Sequence, residues 1–136
     1  MLQWWRNLVA GFDSFRSYVR HASRFGLVFG LRDRGRLQEA LDEALSLAKD
    51  IHASGSAMDR IQIVVAASTI DDIAQRIGRP EAAYEVLTQA IATIDEARAD
   101  MVAPLRRKPQ DFDPQLESYR NSFQQRVNRI VSDRNG

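Results

Sequence analysis

The sequence predicts an all-α protein: a short stack of antiparallel helical hairpins, with an N-terminal amphipathic helix and a C-terminal capping helix. Apolar residues recur every three or four positions along most of the chain, which is the period of an amphipathic helix. A glycine-led pattern also occurs twice, 43 residues apart, beginning at Gly35 and Gly78. In both copies Ala follows the glycine at +5, and Ala or Leu follows at +9 and +12. A repeat of this length is typical of stacked helical hairpins.

The composition excludes several classes of site. The chain has 136 residues, of which 44% are apolar, enough for one domain with its own core. It contains no cysteine, which removes disulfides, thiolate metal sites and a cysteine nucleophile. The two histidines, His21 and His52, form no ligand pair at helical spacing, so we expect neither a metal nor a cofactor. No run of 18 apolar residues exists, so no transmembrane helix is predicted.

Charge is distributed unevenly along the chain. Residues 1–36 carry a net charge of +5, residues 37–104 carry −7, and residues 105–136 carry +3. Such blocks can attract one another within the molecule, or they can attract an acidic partner to the N-terminus and a basic partner to the middle. The sequence leaves these alternatives open.

The first segment, residues 1–34, begins with an amphipathic helix predicted over 2–24. Nine apolar residues share one side of this helix: Leu2, Trp4, Trp5, Leu8, Val9, Phe12, Phe15, Tyr18 and Val19. The other side carries Gln3, Arg6, Asn7, Asp13, Ser14, Ser17, Arg20, His21 and Arg24. Farther along, Gly26 and Gly30 lie four residues apart, which predicts either close packing of another backbone or a break in the helix.

Three hypotheses account for the aromatic side of this helix. It packs on the rest of the molecule, as most aromatic stripes do, or it fills a groove of a protein partner with Trp4, Trp5 and Phe12 as apolar anchors. The third is an anionic membrane surface. In that case the aromatic rings lie at headgroup depth, and the flanking arginines contact lipid. Those arginines are Arg6, Arg16, Arg20 and Arg24.

The second segment, residues 35–102, contains three predicted helices, over 37–51, 60–77 and 80–102. Each has apolar residues at spacings of three and four. Gly78 ends the middle helix, and Pro80 occupies the first turn of the next, where proline is favoured. Residues 103–114 contain three prolines and are predicted to form a loop. A last helix, within 115–136, is predicted to cap the open end of the stack.

The helix pair 60–97 resembles a tetratricopeptide (TPR) repeat. The matching residues are Ala67, Ile70 and Ala74 on the first helix, Gly78 in the turn, and Ala83, Leu87 and Ala90 on the second. An earlier segment resembles the second helix of a preceding repeat, and its matching residues are Gly35, Ala40, Ala44 and Leu47. The spacing of 43 exceeds the usual 34 residues and is nearer to the extended repeats of the kinesin-light-chain type. Asp71 departs from the family pattern, which prefers a small residue there.

In that family the first helix of each hairpin lines a concave groove that binds peptides or helices. The resemblance therefore implies a groove lined by four residues of the helix 60–77. They are Val65, Ser68, Asp72 and Gln75. The carboxylate of Asp72 would favour a basic segment of the partner. One alternative is that Asp71 and Asp72 simply form a solvated turn of the helix. Another is that the chain's own N-terminal helix fills the groove, which two repeats would make shallow.

These observations predict a non-catalytic protein–protein interaction module, an adaptor or assembly subunit, in the cytoplasm and open to self-association. No positioned acid, base and nucleophile is apparent, so we expect no enzyme activity. One alternative is a peripheral membrane protein attached through residues 2–24. Another is a nucleic-acid-associated factor using the basic residues of 105–134, which the absence of a dominant positive charge disfavours.

Overall fold

The computed structural model describes the backbone of residues 2–54, 62–105 and 114–135, and the side chains of residues 16, 19–54, 62–98 and 114–135. Within these ranges the chain is helical, with no strand. The helices are α1 (Leu2–Asp33), α2 (Leu37–Ser54), α3 (Gln62–Ile77), α4 (Tyr84–Leu105) and α5 (Pro114–Asn135). A 3-10 turn, Pro80–Ala83, precedes α4. The all-α class is therefore confirmed.

The helices begin and end close to the residues that the apolar periodicity predicts. The helices predicted over 37–51, 60–77 and 80–102 correspond to α2, α3, and the 3-10 turn with α4. Pro80 stands at the start of the 3-10 turn, where its fixed φ suits the helix and its missing N–H costs no hydrogen bond. The predicted loop 103–114 is described only at its margins, because α4 continues to Leu105 and α5 begins at Pro114.

The two repeated glycines form the same helix-ending turn. Gly35 has φ +77° and Gly78 has φ +81°, the left-handed conformation that favours glycine. After α1, the N–H of Gly35 donates to the carbonyl of Arg32 at 3.0 Å, and the N–H of Arg36 donates to Leu31 at 2.9 Å. The same two bonds follow α3: Gly78 to Gln75 at 3.0 Å and Arg79 to Ala74 at 2.8 Å. Both turns satisfy carbonyls that would otherwise lack a partner.

The core lies between consecutive helices, with α3 at its centre. Each helix packs mainly against its neighbour in sequence, in the order α1, α2, α3, α4 and α5. Nine of the sixteen residues of α3 are buried, because α2 covers one side of this helix and α4 with its preceding turn covers another. The largest fully enclosed side chains are Val28, Leu41, Leu47, Ile63, Ile70, Ile73, Leu87 and Ile94.

The residues that follow the two glycines occupy equivalent places in this core. Ala40 and Ala83 at +5 are both fully enclosed, and so are the residues at +9 and +12 in each copy. Those further residues are Ala44 and Leu47 in the first copy and Leu87 and Ala90 in the second. Ala40 lies in α2 and Ala83 ends the 3-10 turn before α4, and a larger side chain at either enclosed position would overpack the core, so the sequence repeat has a packing cause.

The expectation of a helix break or a close backbone contact at Gly26 and Gly30 is wrong. α1 runs through both glycines without interruption. A methyl group added at either position would meet no described atom of a neighbouring element within 4 Å. The helix tolerates the two glycines because Phe25 and Val28, on another side of the same turns, are buried in the core.

The side of α1 that packs on the core also differs from the prediction. His21, assigned to the polar side, is buried with 5% exposure, whereas Val19, assigned to the apolar side, is 45% exposed. Phe25 and Val28 continue the buried side. Val28 lies nine positions after Val19, about half a turn away around the helix. The C-terminal third of α1 thus carries its own apolar stripe, displaced from the N-terminal one.

Candidate functional site

The four groove residues predicted on α3 share its one long exposed stripe. Val65, Ser68, Asp72 and Gln75 follow one another at helical spacings of three and four. Val65 is 47% exposed, Ser68 and Gln75 are exposed, and Asp72 is half-buried. The remaining sides of α3 are largely enclosed by the neighbouring helices. A central helix therefore presents a narrow strip of mixed polarity, which we call the α3 stripe.

The local sequence explains why this stripe is exposed. The remaining sides of the helix carry apolar residues that are all buried. They are the isoleucines at 63, 70 and 73 and the alanines at 66, 67 and 74. The hydroxyl of Thr69 is satisfied within the helix, where it donates to the carbonyl of Val65 at 2.9 Å. Val65 is the exception to this division between buried apolar and exposed polar residues, because its aliphatic side chain is exposed to solvent among polar neighbours.

The charge on the α3 stripe is partly balanced. The guanidinium of Arg76 lies 3.4 Å from a carboxylate oxygen of Asp72, one helical turn away. Both side chains are about half exposed, so the pair contributes only about 0.3–0.5 kcal/mol. An incoming charged group can replace either partner at little cost. Asp72 is therefore available to a basic ligand group, and Arg76 is available to an acidic one.

Helix α5 forms one wall beside the stripe through a contact that the sequence alone does not reveal. The Nε atom of Arg126 lies 3.3 Å from Oδ2 of Asp71. The same carboxylate oxygen accepts a hydrogen bond from Nε2 of Gln75 at 3.0 Å. Asp71, the departure from the family pattern, is thus a docking point for α5. An acidic residue on a largely apolar helix, with an arginine-rich helix later in the chain, is the signal that could have indicated it.

Two shallow cavities follow this wall. One, of about 320 Å³, lies between the end of α3 and α5. It is lined by Gln75, Pro80, Arg126, Arg129, Ile130 and Asp133. The second, of about 340 Å³, is lined by Ser122, Gln125, Arg126 and Arg129 of α5. Both share the two arginines, so the edge of the α3 stripe that faces α5 has donors for carboxylate or phosphate groups.

Helix α5 is held to α4 by two further ion pairs. Arg120 donates to both carboxylate oxygens of Asp95, at 2.6 and 3.1 Å, and Arg98 pairs with Glu117. The hydrogen bond with Asp95 raises the pKa of Arg120. Arg120 and Arg126, two of the basic residues in the region 105–134 that suggested a nucleic-acid surface, are thus engaged by carboxylates. Arg129 is exposed.

The basic residues predicted on α1 divide into two groups. Arg24 is committed to α2: it lies 2.5 Å from Asp50 and 3.6 Å from Glu43, and it donates to the hydroxyl of Ser46 at 3.3 Å. Arg16 and Arg20 are exposed. Trp4, Trp5, Arg6 and Phe12 belong to the helical backbone of α1, and their side chains lie outside the described residues.

A cavity of about 410 Å³ lies between the end of α2, the start of α3 and the middle of α4. His52, Thr88, Gln89 and Glu96 contribute polar groups to it. Among the described residues, no group of three or more His, Asp or Glu side chains is placed to hold a metal ion. No helix in the same part of the chain is long and apolar enough to cross a membrane.

No protein-family model, curated protein or solved structure matches this chain. We therefore infer the function of the protein from the geometry of its surfaces.

Proposed function

We propose that this protein is a non-catalytic protein–protein interaction module, an adaptor or assembly subunit that binds a segment of another protein along the α3 stripe. The observation that carries the proposal is the exposure of Val65, Ser68 and Gln75 on a helix of which nine of the sixteen residues are buried. Packing against α2 and α4 fixes the backbone of α3, so a ligand bound here pays little to order its receptor.

We propose further that the helices form a TPR-like stack of antiparallel hairpins. Support comes from the two glycine turns, which have the same φ and the same hydrogen bonds 43 residues apart. Arg120 with Asp95, and Arg98 with Glu117, support the same arrangement for α4 and α5. Asp95 precedes Arg98 along α4, whereas its partner Arg120 follows Glu117 along α5. The partners therefore run in opposite order along the two helices, as antiparallel packing requires.

The chemistry around the stripe suggests a ligand segment of mixed charge. The sequence predicts a basic group at Asp72, and the half-exposed carboxylate remains suited to one. Arg129, which is exposed on the neighbouring wall, suits an acidic side chain of the same segment. A small apolar side chain would cover Val65. We do not extend the proposal to nucleic acid, because Arg120 and Arg126 already face carboxylates.

The proposal is tested by quantitative affinity purification with two matched variants. Val65→Asp places a charge on the α3 stripe, whereas Val131→Asp makes the same change at a 38% exposed position of α5. Both positions are exposed, so both variants should fold. We expect the wild type and Val131→Asp to enrich the same proteins, and Val65→Asp to lose at least one of them. Equal enrichment by all three proteins, or no enrichment above background, would contradict the proposal.

A further inference from the structure

We infer that the side of α1 opposite α2 docks on an anionic membrane surface. This outer face is defined by the exposed residues Val19, Ala22, Ser23, Gly26 and Leu27, with Arg16 and Arg20 along one edge. Val19 is 45% exposed and Leu27 is 53% exposed. The buried residues of α1, including His21 and Val28, lie on the opposite side, toward α2.

The aromatic residues of the N-terminal segment occupy the same face by helical register. α1 is continuous from Leu2 to Asp33, so positions seven residues apart stay within about 20° of each other around the axis. Positions 5, 12, 19 and 26 are spaced in this way. By register, positions 5 and 12, which are Trp5 and Phe12, therefore share a face of the helix with Val19 and Gly26. Trp4, Leu8 and Phe15 lie within about 60° of Val19 on the same register.

The length of α1 carries its N-terminal part past the end of α2. α1 continues for 22 residues, about 33 Å, on the N-terminal side of Arg24. α2 continues for only four residues, about 6 Å, past Asp50, the ion-pair partner of Arg24. Among the described elements, α1 packs chiefly against α2. The backbone of the first part of α1 therefore extends past the C-terminal end of α2.

Charge complementarity favours an anionic bilayer as the occupant. Residues 1–36 carry a net charge of +5, and Arg16 and Arg20 are exposed beside the apolar positions. Tryptophan and arginine are the side chains that best suit the boundary between acyl chains and headgroups. The acidic groups Glu43 and Asp50 of α2 pair with Arg24, on the far side of α1 from the outer face. They would therefore be held away from the lipid phosphates.

The two tryptophans of the chain, Trp4 and Trp5, allow a direct test. Their fluorescence reports on the N-terminal segment of α1 in the full-length protein with no added label. We would titrate phosphatidylcholine vesicles, with and without phosphatidylserine, and record the emission maximum together with co-sedimentation. We expect a blue shift and sedimentation only with the anionic vesicles, both decreasing with salt.

Variants locate the contact. Val19→Asp should abolish vesicle binding, whereas Val131→Asp, the same change on exposed α5, should leave it unchanged. Arg16→Gln with Arg20→Gln should weaken binding by more than tenfold, at about fivefold per arginine. Arg76→Gln with Arg129→Gln removes the same charge from α3 and α5 and should have a much smaller effect. Circular dichroism checks that each variant is folded.

Three outcomes would overturn the inference. In the first, neither emission nor sedimentation responds to anionic vesicles. In the second, Val19→Asp and Val131→Asp bind vesicles equally. In the third, the wild type is a dimer by light scattering and Val19→Asp is a monomer, which would assign the outer face to a second copy of the chain. Because this surface is separate from the α3 stripe, Val65→Asp should bind vesicles normally, so failure of one proposal leaves the other intact.

Discussion

The same substitution, glycine to alanine, should change stability in opposite directions at different positions. At Gly35 and Gly78 the backbone has φ +77° and +81°, where a side chain strains the left-handed conformation by about 1–2 kcal/mol. A methyl group at either site would meet no described atom of a neighbouring element within 4 Å, so the strain is purely conformational. Gly35→Ala and Gly78→Ala should each lower the free energy of unfolding by about 1–2 kcal/mol.

Gly26 provides the matched control. It is exposed within α1, and a methyl group added there would also meet nothing within 4 Å. Its backbone is helical, so alanine reduces the conformational freedom of the unfolded chain without straining the folded one. Gly26→Ala should therefore raise the free energy of unfolding by about 0.5–1 kcal/mol.

Urea unfolding, followed by circular dichroism at 222 nm on the full chain, measures all three changes with one two-state analysis. Because the two turns share the same geometry, the costs at positions 35 and 78 should agree within about 0.5 kcal/mol, and the double variant should show their sum. A neutral effect at either turn, or a destabilising effect at Gly26, would refute the reasoning from φ.

Two further predictions concern the packing around α3 and α4. Arg126→Ala should destabilise the fold more than Asp71→Ala, because the loss of Arg126 leaves the largely buried carboxylate of Asp71 without its cation. A double-mutant cycle measured by urea unfolding should give a coupling free energy of about 1 kcal/mol between the two residues. Equal costs with no coupling would mean that the contact does not hold α5 in place. Leu87→Ala removes a fully buried side chain and should cost about 2–5 kcal/mol, measured in the same way. A cost below about 1 kcal/mol would contradict a close-packed core at α4.

Much of the fold could be predicted from the sequence, because local forces dominate in a helical chain. Apolar spacing predicted the helices, and the glycines at 35 and 78 predicted the turns that end α1 and α3. The residues of the α3 stripe were indicated by the resemblance to TPR repeats. At Val65 an apolar residue breaks the pattern, and there the resemblance to TPR repeats, rather than periodicity, indicated an exposed position.

Long-range geometry could not be predicted. The strong aromatic stripe of residues 2–19 suggested one apolar side for the whole N-terminal helix, yet α2 packs on the side that carries His21 and Val28. A second, weaker stripe in the last third of α1 decides that packing, and periodicity alone gives no reason to prefer it. The Asp71–Arg126 contact joins residues 55 positions apart, so apolar periodicity could not pair them, although an acidic residue on a largely apolar helix marked Asp71 as unusual.

Site-specific photo-crosslinking tests the central claim most directly, because it reports which surface touches a partner in the cell. A benzoylphenylalanine would replace Val65 on the α3 stripe and, in a second protein, Val131 on α5. We expect the protein with benzoylphenylalanine at position 65 to form a discrete crosslinked product that does not form when the label is at position 131. Crosslinks from position 131 alone, or none from either position, would contradict an interaction module that works through α3.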